Sequence, residues 1–127
     1  MDTRSKIVTP EAAAALAHGR PSAVLVTGHF DVLLAAHVRD LASARAALPD
    51  GVLLVALTDP EEPLLPPRAR AEMVAGLEMV DYVVSLDGLG MRTLLAAFPA
   101  DRTVRLEAAH ESRRRELIQY VHRRQSR

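Results

Sequence analysis

The run Gly51-Val52-Leu53-Leu54-Val55-Ala56-Leu57 carries no polar side chain and stops at Thr58-Asp59-Pro60. A strand with one wet face alternates polar and apolar residues. A run without alternation fits a strand covered on both faces, as in a parallel sheet with helices above and below it. The neighbouring segments agree. Thr9-Pro10-Glu11 reads as a helix start, with an N-cap, a proline in the first turn and an acid at the positive end. That helix is expected to stop at Gly19, and Pro21 to turn the chain into a strand over 22–27. A helix over 35–48 follows, with Val38, Leu41, Ala44 and Leu48 at helical spacing. After the turn Pro49-Asp50-Gly51 comes the apolar run itself. A Pro-rich loop over 61–67, a helix over 67–79, a strand over 81–86, a helix over 89–98, a weaker strand over 103–106 and an Arg-rich helix over 109–124 complete the chain.

Such alternation predicts an α/β fold: a doubly wound parallel sheet of about four strands, a Rossmann-like α/β/α sandwich, with right-handed crossovers. Ligands of such sheets bind outside the carboxyl ends of the strands, and residues 28–37 lie at that edge. At 127 residues, residues 1–127 form one domain, large enough to bury roughly two-thirds of its unfolded surface. Phe30, Phe98, Tyr82 and Tyr120 are the whole aromatic set, so the core is expected to be aliphatic, with Met73, Met79 and Met91 as filler. The formal charge is zero, which argues against a nucleic-acid surface. The absence of cysteine excludes disulfides and thiolate metal sites. No apolar run approaches membrane-spanning length, and the polar N-terminus has no leader-like core. The expectation is a cytoplasmic protein with no membrane partner. Lys6 is the single lysine, which limits ammonium contacts to phosphate.

Three stretches have a more specific character. Thr27-Gly28-His29-Phe30-Asp31 runs on to His37-Val38-Arg39-Asp40-Leu41; Thr58-Asp59 follows the second strand; Arg70-Ala71-Glu72-Met73 leads to Val80-Asp81-Tyr82-Val83-Val84. In this order and spacing they resemble the cytidylyltransferase-like nucleotidyltransferases, most nearly the adenylyltransferase domain of ADP-heptose synthase (heptose 1-phosphate adenylyltransferase), with glycerol-3-phosphate cytidylyltransferase a near relative. The matching family patterns are G-x-F-D-x-x-H-x-G-H-x-x-x-L, Ser-Asp and R-A-E-x-L…V-D-Y-V-V. The likeness covers 6–86 and fades beyond.

The resemblance implies nucleotidyl transfer, in which a sugar- or polyol-phosphate oxygen attacks the α-phosphate of ATP or CTP and pyrophosphate leaves. Mg²⁺ would enter only with a bound nucleoside triphosphate. It also implies a nucleotide site made of Thr27, Gly28, His29, Phe30, Asp31, Leu34, Ala36, His37, Arg70 and Arg113, with His37 as the catalytic phosphate donor and no protein-held metal. Catalysis of this kind rests on positioning and charge neutralisation. Gly28 would admit the nucleotide to the backbone, and the helix start near Ala35 would turn amides toward phosphate.

The chain departs from the family at three places. In the tetrapeptide matching H-x-G-H, Leu34 stands for the first histidine and Ala36 for the glycine. Loss of one preorganised donor costs about 10²–10³ in rate. Near Glu111-Ser112-Arg113-Arg114, only Ser112 remains of a Ser/Thr-rich signature. The acidic, Pro-rich stretch over 61–67 replaces the basic loop that handles the acceptor in relatives.

Each site residue has a plainer reading beside the functional one. His37 is a phosphate donor or a cap and packing residue. His29 is a replacement donor or a loop histidine. Asp31 caps the helix start or orients His37, in preference to binding metal. Arg70 reaches phosphate or bridges to Glu72 or Asp59. Arg113, Arg114 and Arg115 form the solvated face of an amphipathic helix, or Arg113 or Arg114 takes over the lost Ser/Thr contacts. Two functions follow: a divergent nucleotide-binding protein with weak or lost catalysis, and a noncatalytic scaffold or regulatory module that dimerises or partners an enzyme. An unrelated flavodoxin-like domain is a third.

Overall fold

A computed structural model describes residues 2–18, 22–31, 33–47, 50–86 and 88–125. The expectations at Gly19, Pro21, Leu48 and Pro49, and any role for the Arg114 side chain, lie outside the described residues. The order of elements is α1 (Pro10–His18), β1 (Ala23–Gly28), α2 (Ala35–Ala46), β2 (Val52–Leu57), α3 (Pro67–Ala75), β3 (Tyr82–Ser85), α4 (Gly88–Ala97), β4 (Thr103–Arg105) and α5 (Glu107–Gln125). The four strands form one parallel sheet in the order β3-β2-β1-β4. This is the expected α/β Rossmann-like, doubly wound arrangement. Among the described residues no helix is long and apolar enough to cross a membrane.

The apolar run is buried throughout its strand. Leu54 and Ala56 pack with α1 and α4 through Ala13, Ala17 and Leu94, and with Phe98 just after α4. Leu53, Val55 and Leu57 pack on the other face with α2 and α3 through Leu41, Val74 and Ala75. The period-two alternation of a strand thus feeds two aliphatic cores from one sequence. Strand β4 is an edge, and Val104 is exposed there.

Among the helix limits that differ from expectation, two have a visible cause. Helix α3 ends at Ala75, not at 79. Gly76 is its C-cap, donating its N–H back to Glu72 and Met73. The chain turns there because glycine is a poor helix former and Asp81 must reach β2, where its N–H donates to the Leu53 carbonyl. Lys6 caps this end: its Nζ donates to the Leu77 carbonyl at 3.0 Å. Helix α5 starts at Glu107 rather than 109, because Leu106 N–H donates to Thr27 O at 2.8 Å and releases the chain from β4 directly into the helix.

Asp81 ties the second strand pair together. Its Oδ2 accepts from the Leu53 N–H at 2.8 Å and from Arg45 at 2.7 Å, and Arg45 also donates to the Gly51 carbonyl at 2.6 Å. Asp81→Ala leaves a strand amide and a half-buried guanidinium without this acceptor and should cost about 1–3 kcal/mol in urea unfolding. Arg4→Ala, which breaks only the exposed pair with Asp2, should leave the unfolding midpoint in the same assay essentially unchanged.

Candidate active site at the β1–β4 switch point

The strand order reverses beside β1: the chain moves outward through β2 and β3, then returns to β4 on the other side. The crevice at the carboxyl ends of β1 and β4 is therefore where a sheet of this kind holds a ligand. Thr27, Gly28 and Phe30 lead into it from β1, His37 lies in the first turn of α2, and α5 opens above β1.

The crevice is filled by side chains of the chain itself. His110, in the second turn of α5, is only 3% exposed. Its ring stands 4.3 Å from Phe30 and 4.3 Å from His37, centroid to centroid, and Phe30 stacks edge-on to His37 at 5.6 Å. Gly28 makes this packing possible: a Cβ there would fall 2.5 Å from Cε1 of His110 and 2.9 Å from the Phe30 ring. The close approach that the resemblance assigns to a nucleotide is made here by an imidazole.

The ring also shapes the loop. His110 Nδ1 accepts the N–H of His29 at 3.2 Å and of Phe30 at 3.3 Å. Phe30 has φ 46°, left-handed backbone that is uncommon for a bulky residue. Burial pulls the His110 pKa down from 6.5 to about 3; His37, His29 and Arg113 push the same way and Asp40 opposes them. A neutral ring that accepts at Nδ1 carries its proton on Nε2, and that buried nitrogen has no hydrogen-bond partner.

The two histidines named in the sequence are engaged at Nδ1 in opposite senses. His37 Nδ1 accepts the Leu34 N–H at 3.0 Å, which places the ring proton on Nε2, as a phosphate donor needs. His29 Nδ1 lies 3.0 Å from the Thr58 carbonyl and 3.1 Å from its hydroxyl. A carbonyl only accepts, so this nitrogen of His29 donates, and it is spent on Thr58. Leu34 is the N-cap of α2 and offers no side-chain hydrogen bond there; Ala36 stands half-buried in the first turn.

Other expected site residues have internal partners. Arg70 is fully buried. Its guanidinium donates to the carbonyls of His29 and Thr58, each at 3.1 Å, and pairs with Asp59. The bridge to Asp59 is the one formed; Glu72 pairs with Arg68 on the surface. Arg113 donates to Asp40, linking α5 to α2. Both oxygens of Asp31 accept backbone N–H groups of the Pro-rich loop, from Leu64 at 2.7 Å and Leu65 at 2.8 Å, a role the sequence reading missed. The hydroxyl of Thr27 donates to Glu107 at 3.0 Å, and a carboxylate at that position opposes a bound triphosphate.

The structure thus gathers Thr27, Gly28, Phe30 and His37 at one point, sets His29 and Arg70 at the β2 side, and leaves Asp31 and Arg113 as ties between elements. His110 and Glu107 are the residues that the sequence reading missed. The available signal was positional: His110 adjoins Glu111, where the Ser/Thr signature was sought.

Gly28→Ala should destabilise the protein by about 1–3 kcal/mol through overpacking against His110. Combining it with His110→Ala should relieve much of that loss, a coupling that a double-mutant cycle measured by denaturant unfolding will report. His110 also sets a pH dependence. Its native pKa lies below its unfolded value, so its contribution is complete above pH 6.5 and is lost as pH falls toward the native pKa of about 3. The slope approaches about 1.4 kcal/mol per pH unit within that window. His110→Asn, whose side-chain oxygen can accept as Nδ1 does, should flatten the curve of stability against pH between pH 6.5 and 4.5.

Compared with known proteins, the chain matches no family model and no curated protein.

Proposed function

We propose that the chain is a noncatalytic module on a nucleotidyltransferase-like fold, a scaffold or regulatory protein whose ligand crevice is closed by its own side chains. The observation that carries this reading is the His110 ring seated against Gly28. The partners of Arg70 and Arg113 support it, since both guanidinium groups are engaged within the protein. So does Glu107, which brings negative charge to the end of β1. On this reading the resemblance over 6–86 reflects a shared scaffold, and fold likeness alone assigns no chemistry.

A second reading, nucleotide binding with weak transfer, is favoured by the tautomer of His37. ATP or CTP would be the ligand and a sugar- or polyol-phosphate the acceptor. The carboxylates nearest the crevice are engaged: Asp31 with two amides, Asp40 with Arg113, and Glu107 with Thr27. Mg²⁺ would therefore be held by the phosphates of the nucleotide rather than by these side chains.

Pyrophosphate release and calorimetry separate the two. With ATP or CTP, Mg²⁺ and a panel of phosphorylated sugars, the wild-type chain should release no pyrophosphate above background and give no binding heat at millimolar nucleotide. Turnover would overturn the noncatalytic reading. Binding without turnover would favour the second.

A further inference from the structure

We propose that α5 of one copy of the chain docks on the acidic loop over 59–65 of a second copy, each chain offering its helix to the other's loop. The formal charge is zero only as a total. Residues 113–125 carry five arginines against the single Glu116, whereas Asp59, Glu61 and Glu62 cluster in the loop after β2. Apolar surface is exposed at the same two places. Leu64 (51% exposed) stands in the acidic loop, and Tyr120 (52%) and Val121 (42%) stand on α5. A lone exposed apolar residue is ordinary. An apolar centre ringed by charge, with tyrosine and arginine prominent, is the make-up of a binding surface.

Both surfaces are held in place before contact. Helix α5 has 19 residues and is anchored by its first half, where His110 is buried and Arg113 pairs with Asp40. From Arg115 onward every described residue is half-buried or exposed, which leaves about 16 Å of helix open to a partner. Leu117, Tyr120 and Val121 share one side through spacings of three and four, and the Arg124 guanidinium lies 6.0 Å from the Tyr120 ring centroid. Arg115, Arg123 and Arg124 are exposed, with no carboxylate partner among the described residues. The loop is pinned from beneath: Asp31 accepts the N–H groups of Leu64 and Leu65, and Arg70 holds Asp59. Glu61, Glu62, Pro63 and Leu64 are thereby exposed in succession, and a loop fixed in advance loses little entropy on binding. Charge chooses the occupant. Two α5 helices side by side would oppose arginine to arginine, whereas helix against loop sets guanidinium by carboxylate and tyrosine by leucine. Reciprocal docking repeats the contact about a two-fold axis and closes the pair.

The pair uses neither the crevice nor His110, so it is tested apart from the closed-crevice reading: pyrophosphate release decides that one, molecular mass this one. In sedimentation equilibrium of the full chain at low salt, the mean mass should rise from 13.8 kDa toward that of a pair. The rise should fall between about 10 µM and about 1 mM, the range of a small transient interface. About 0.5 M NaCl should weaken the pair, because exposed charges are screened. Glu61→Arg with Glu62→Arg should weaken it at least about tenfold, and Arg123→Glu with Arg124→Glu likewise. Mixing the two variants should restore pairing, since each reversed surface then meets its complement on the other chain. A wild-type chain that stays monomeric throughout would overturn the proposal. So would masses beyond the pair, insensitivity to salt or to either reversal, or a mixture that stays monomeric. All four substituted positions are exposed, and the wild-type measurement stands whatever the variants do.

Discussion

The contact on which the crevice depends is the neutral imidazole of His110 set against the end of β1. One nitrogen accepts two loop amides and thereby holds Phe30 in left-handed backbone. Phe30 in turn packs in the core formed by Val26, Leu41 and Val55. The contact requires glycine at 28, burial deep enough to keep the ring uncharged, and α5 starting directly after β4. It therefore couples the last helix to the first strand, 80 residues away for Phe30 and 81 for His29. Charging the ring would remove the acceptor and place a cation beside His37, and this is why pH reports on the packing.

Arg70 performs the corresponding task one strand over. A buried guanidinium is costly unless it is paired and hydrogen-bonded, and here it meets the carbonyls of His29 and Thr58 and the carboxylate of Asp59. These acceptors follow β1 and β2, so the side chain fastens the loops that leave adjacent strands. His29 is held from both sides: its carbonyl by Arg70 and its ring by Thr58. The loop after β1 is positioned by side chains from α3 and α5, with little freedom left to its own sequence.

This division explains what was legible in the sequence. The burial of Leu53 toward one helix layer and of Leu54 toward the other follows from local pattern, because a strand's periodicity is written in consecutive residues. The end of α3 at Gly76 was legible in principle, since a glycine interrupts the pattern at that point. Partner choice was not. Asp31 binding Leu64 and Leu65, and Arg113 binding Asp40, depend on which loops the topology brings together. His110 was missed for the same reason, its place beside the sought Ser/Thr signature being the one signal it gave. In sequence it is one of two histidines on a polar helix, and only the approach of α5 to Gly28 gives it a role.

A crevice at a switch point has to be filled by something. An empty apolar space costs about 24 cal/mol for each Å³ left unfilled, and exposed amides at its floor demand acceptors. On the proposed reading, two residues of this chain answer that demand from within: Glu107 gives an acceptor beside Thr27, and His110 an acceptor for the loop amides. These residues form one compensating set. A chain that loses phosphate donors while keeping an open crevice would carry unsatisfied backbone and a void together. An imidazole in the place of a ligand answers both at once, at the expense of leaving the buried His110 Nε2–H without a hydrogen-bond partner.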